Sequence, residues 1–82
     1  MHGRRLPDGT DWSSEAQPGD YAKLNEDYWW AISPDGDVGS FRSPQWHITE
    51  HPDRTVSVVP SIWFDSPKGW HGFLQHGIWV QA

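Results

Sequence analysis

Gln45-Trp46-His47-Ile48-Thr49-Glu50-His51 and Thr55-Val56-Ser57-Val58-Val59, separated by Pro52-Asp53-Arg54, decide the fold. Both flanks alternate between apolar and polar residues with a period of two, the signature of a half-buried strand. A three-residue loop sets His51 opposite Thr55, Thr49 opposite Ser57 and Ile48 opposite Val58. One face of the hairpin then carries Trp46, Ile48, Val56 and Val58, and the other His47, Thr49, His51, Thr55 and Ser57. That split predicts an antiparallel pair packed mainly on one side. Two residues break it: Glu50 falls on the apolar face near the turn, and Val59 on the polar face at the far end.

Short strands and turns extend in both directions from this hairpin. Toward the N-terminus, Tyr28 to Ser33 is rich in aromatic and β-branched residues and reads as a strong strand. Pro34-Asp35-Gly36-Asp37 is a turn, Val38 to Phe41 returns as a short strand, and Tyr21 to Leu24 is a first strand. Residues 1–18 are polar, with a turn at Leu6-Pro7-Asp8-Gly9. They read as a loose arm with Trp12 as its anchor, leaving residues 19–82 as a single small β domain.

Toward the C-terminus, Pro60-Ser61 ends or bends the strand and Ile62-Trp63-Phe64 continues extended. Ser66-Pro67-Lys68-Gly69 reads as a turn. Trp70, Phe73 and Leu74 stand at i, i+3 and i+4, which predicts two helical turns over Trp70 to His76 with Gly77 as a left-handed cap. Ile78-Trp79-Val80 is a last strand. The expected class is mainly β: a small antiparallel sheet or partly closed barrel with a short C-terminal helical turn.

Seven tryptophans in 82 residues supply much of the core that so short a chain needs. There are no cysteines, so disulfides and thiolate metal sites are excluded. The net charge of −5, from 11 acidic and 6 basic residues, speaks against nucleic acid as a partner. No apolar run approaches the ~18 residues of a membrane span, and no signal-peptide pattern is present. No cofactor is implied, since the glycines stand singly at turns and cradle no phosphate. His47 and His51 lie about 13 Å apart at strand rise, too far to share a metal. No metal site is expected.

The stretch Trp46 to Trp79 resembles a group of small proteins of unknown function encoded by bacteriophages and prophages of actinobacteria. The residues that carry the resemblance are Glu50-His51, Pro60-Ser61-Ile62, Trp70-His71-Gly72-Phe73-Leu74 and Gly77-Ile78-Trp79. Some longer proteins of that kind add cysteines that could hold a metal; this chain has none. The resemblance implies a phage accessory protein acting in the cytoplasm of a bacterial host, and it implies no activity.

Three groups of residues are candidates for a site. His71, between Trp70 and Gly72, could act as a general base if a carboxylate adjoined it. Glu50 is the candidate partner, because an acid on an apolar face would be raised in pKa by burial. The structural alternative has Glu50 reaching water at the hairpin end and His71 pinning the C-terminal turn. His51 lies beside Glu50. Tyr28, Trp29 and Trp30, flanked by Glu26, Asp27, Asp35 and Asp37, form the third group. On a strand Trp29 and Trp30 face opposite sides, so one of them is half-exposed, or meets the arm or a second subunit.

The expected function is that of a non-enzymatic interaction module that binds a host or phage protein through Tyr28, Trp29, Trp30, Glu50, His51, Trp70 and His71. No catalytic residue is assigned. The alternative is a small-molecule-binding or hydrolytic protein with His71 in its pocket. A homo-oligomer built on the same aromatics also stays open.

Overall fold

The computed structural model describes residues 1–64 and 68–82. Eight strands form two four-stranded sheets, ordered β1-β2-β3-β4 and β5-β6-β7-β8. The first sheet comprises β1 (Arg4–Arg5), β2 (Asp20–Lys23), β3 (Tyr28–Ile32) and β4 (Val38–Arg42). The second comprises β5 (His47–Glu50), β6 (Val56–Trp63), β7 (His71–Gln75) and β8 (Ile78–Gln81). Every pair within a sheet is antiparallel except β1 with β2. The architecture is a two-sheet sandwich rather than one sheet or a partly closed barrel.

The β5–β6 hairpin has the register that the alternation predicts: Ile48 pairs with Val58, Thr49 with Ser57, and the His51 N–H donates to the Thr55 carbonyl. Arg54 closes the three-residue loop at φ 73°, the left-handed conformation such loops need at their last position. Asp53 braces that loop by accepting from both the backbone and the hydroxyl of Thr55.

The helical turn expected over Trp70 to His76 is absent; β7 occupies it. Period two competes with period 3.6 there, and period two wins. Trp70, Gly72 and Leu74 are buried, while His71, Phe73 and Gln75 are more exposed. His76 and Gly77 both have positive φ, 48° and 74°. This is the two-residue hairpin turn that joins twisted strands best, so Gly77 opens β8 instead of capping a helix. Ser66 and Pro67 of the predicted turn Ser66-Pro67-Lys68-Gly69 fall outside the described residues.

Between the sheets lies one aromatic core. Tyr21, Trp29 and Phe41 come from the first sheet; Val56, Val58, Ile62, Leu74 and Trp79 come from the second. Phe64 and Trp70, which flank the β6–β7 connection, complete it. Trp29 stacks on Phe41 at 5.9 Å and 15°, and Trp70 meets Trp79 edge-on at 5.6 Å and 86°, the two arrangements aromatic quadrupoles favour. Gly72 leaves room for this packing: a Cβ there would collide with the Trp70 indole and the Val80 carbonyl.

The loose arm expected over residues 1–18 is tied down along its first ten residues. Gly3 N–H donates to Gly77 O and Trp79 N–H to Met1 O, on the second sheet. Arg4, Leu6 and Gly9 donate to Gly19, Tyr21 and Lys23, on the first. The segment thus links the two sheets along one side. Its apolar anchors are Leu6 and Ala16, which pack on Ala22, Trp30 and Ile32. Trp12, the expected anchor, is instead 49% exposed.

Candidate functional site

Trp29 and Trp30 do face opposite sides of β3, and both are buried. Trp29 enters the sandwich core. Trp30 lies on the outer face, where the arm covers it and its indole N–H donates to the Thr10 carbonyl at 2.7 Å. Of the three fates left open, meeting the arm is the one realised, so neither ring forms an exposed contact surface. Trp70 is also a core residue.

Glu50 and His71 do not come together. Glu50 points from β5 toward the first sheet, where its two oxygens pair with Arg5 at 2.8 Å and Lys23 at 3.0 Å. Arg5 also lies over the Trp29 ring, 4.9 Å from its centroid. Burial pushes the Glu50 carboxyl up, but hydrogen bonds from Lys23 and Arg5, with their charges, bring it below its ordinary value. The expected upward shift is therefore reversed. An acid on the apolar face is explained by what that face meets, which is a pair of cations. Its role is to tie the sheets together.

His71 lies on the outer face of the second sheet, not in a pocket. Its Nε2 shares a 2.7 Å hydrogen bond with Ser61 Oγ, and its ring stacks on Trp63 at 5.3 Å and 22°. A serine and a histidine in contact suggest a nucleophile and its base, but that chemistry also needs a group orienting the histidine and donors for an oxyanion. Among the described residues, no carboxylate is hydrogen-bonded to His71. The same bond recurs between His51 Nε2 and Ser57 Oγ at 2.7 Å, with His51 stacked on His76. Two copies of one bond on one sheet face mark side-chain pins across strands.

The outer face of β5–β8 has a property that Val59 alone hinted at in the sequence. Its outward positions carry no Asp, Glu, Lys or Arg, in a chain with 17 such residues. Val59, Trp63, Ile78 and Val80 are all exposed there, and Trp63 is 69% exposed. No segment of the described chain covers them as the arm covers Trp30. Ile62, Trp63 and Phe64 are all apolar, so the triplet alone does not tell which of them faces outward. The signal available was the place of Trp63 directly before a turn-rich stretch, two residues beyond the outward Ser61.

A groove opens on the outer face of the first sheet, beside the arm. It is an open groove of about 530 Å³ lined by Asp11, Trp12, Leu24, Tyr28, Trp30 and the Val38–Ser40 backbone and side chains. Among the described residues, no group of three or more His, Asp or Glu could hold a metal, and no helix is long and apolar enough to cross a membrane.

The residues of the Trp46–Trp79 signature fall mainly into structural roles. Ile62, Trp70, Leu74 and Trp79 are core, Gly72 admits Trp70, Gly77 makes the hairpin turn, and Ser61 holds His71. Compared with protein families, curated proteins and solved structures, the chain matches none.

Proposed function

We propose that this protein is a non-enzymatic interaction module that binds a protein partner through the outer face of β5–β8, centred on Trp63 and His71. The observation that carries this reading is Trp63: a tryptophan 69% exposed yet held in a strand. Its neighbour His71 is fixed by Ser61, so the pair is ordered before any partner arrives. An ordered aromatic on a face free of Asp, Glu, Lys and Arg, beside exposed Val59, Ile78 and Val80, is what interaction hot spots are made of. Pre-ordering reduces the side-chain entropy lost on binding.

The partner is a host or phage protein, and the setting is the cytoplasm of an actinobacterial host. Both parts rest on the resemblance of the Trp46–Trp79 signature to phage-encoded proteins. Affinity capture from such a host, with and without phage proteins expressed, tests the reading when wild type and Trp63→Ala are run side by side. A partner retained by wild type and lost by a Trp63→Ala variant of unchanged melting temperature supports it. Retention by both variants refutes it. A solution mass of twice the chain, abolished by Trp63→Ala, would make the partner a second copy.

A further inference from the structure

The groove on the first sheet is a separate surface from the Trp63 face, and its chemistry differs. Its lining is mostly apolar: Trp12, Leu24, Tyr28, Trp30 and Val38. The polar side chains lining it are Asp11 and Ser40. Among the described residues the Asp11 carboxylate takes part in no ion pair. Glu26 and Asp27 adjoin Tyr28 in the chain, and the protein as a whole carries −5. Arg42, opposite Tyr28 on β4, reaches toward Gln45 and is not part of the lining.

The arm shows what this face accepts. It lies across the same sheet as an irregular segment broken by turns at Asp8–Gly9 and Ser14–Glu15, packing Leu6 and Ala16 with Trp30 and offering a backbone carbonyl to the indole. The groove is the part of the face that the arm leaves open, and it runs beside β4, the edge strand of the sheet. Its volume falls in the range of ordinary ligand sites and exceeds a single side chain. Aromatic faces and an unpaired carboxylate attract a cation, and the aliphatic walls suit its hydrocarbon stem.

We propose that this groove binds a short, irregularly folded peptide segment carrying an arginine or lysine between apolar residues. The cationic head sits by Asp11 and the Trp12 and Tyr28 rings, and the apolar neighbours lie on Leu24 and Val38.

The test uses the full chain and three capped tripeptides: leucine–arginine–leucine, leucine–glutamine–leucine and leucine–glutamate–leucine. Amide and indole N–H signals are followed by NMR during titration. The arginine peptide should produce saturable shifts at Trp12, Tyr28 and Trp30, weakened by added salt. The glutamine peptide should bind more weakly and the glutamate peptide most weakly. Asp11→Asn should weaken the arginine peptide by about 2- to 5-fold, the size of an exposed ion pair. Trp12→Ala should abolish saturation. Should Trp12→Ala fail to fold, Val38→Lys at the exposed lip decides: it should lose the arginine peptide and gain the glutamate one. Equal binding of all three peptides, absence of saturable shifts, or shifts centred on Trp63 would each overturn the proposal.

Discussion

The outer faces of the two sheets make an instructive pair. Each belongs to a four-stranded sheet, and each carries a tryptophan at an outward strand position: Trp30 on β3 and Trp63 on β6. Trp30 is 4% exposed and Trp63 is 69% exposed. Strand alternation places both side chains away from the shared core and treats them alike. The arm separates their fates. It covers Trp30, satisfies its indole with Thr10, and leaves the second sheet uncovered. A sandwich of this size therefore uses one outer aromatic for stability and leaves the other exposed.

The largest effect that could break the comparison comes from exchanging ring for methyl at each site. Trp30→Ala should destabilise by about 3–5 kcal/mol, the range for a buried aromatic. Trp63→Ala should change stability by less than about 0.5 kcal/mol, as surface substitutions do. Chemical unfolding of both variants checks this, and similar losses would erase the distinction.

A middle-sized effect concerns the tie between the sheets. Asp37, in the turn between β3 and β4, is buried. It accepts the backbone N–H groups of Lys68 and Trp70, which lead into β7. Asp37→Ala leaves both donors without their partner and should cost about 1–3 kcal/mol in thermal or chemical unfolding. Protection of the Trp70 amide against hydrogen exchange should fall with it.

The smallest effect is electrostatic. Glu50 has its folded pKa lowered from the ordinary 4.5 by Lys23 and Arg5, against the opposing push of burial. A depressed folded value means that its contribution is present above the unfolded pKa and fades as pH falls through the folded one. Wild type should therefore exceed Glu50→Gln in stability at neutral pH, by less than about 1 kcal/mol for so exposed a pair. The difference should shrink below pH 4.5. A difference that is constant from neutral to acid pH would show that the ion pairs to Arg5 and Lys23 do not form.

How much of this was legible in the sequence depends on where the deciding partner lies. The β5–β6 hairpin was readable to the register because its strands and turn are adjacent and each carries its own signal. Residues 70–76 were misread because Trp70, Phe73 and Leu74 satisfy a helical spacing by coincidence. The alternation that wins is punctuated by Gly72, whose missing side chain hides it. Glu50 was rightly singled out as anomalous, but its partners sit 27 and 45 residues away, beyond any local pattern. Asp37, placed only as a flank of the Tyr28–Trp30 group, likewise takes its partners from 31 and 33 residues away. The opposed faces of Trp29 and Trp30 followed from strand geometry, yet only the three-dimensional path of the arm decides which outer face is covered.

The central claim is that the two outer faces differ in access, with the second sheet open for contact. Hydroxyl-radical footprinting with mass spectrometry reads the seven tryptophans one by one in the free, dilute protein. Trp63 should be oxidised fastest, with Trp12 next, while Trp29, Trp30, Trp70 and Trp79 stay protected. Protection of Trp63 to the level of Trp30 would contradict the account.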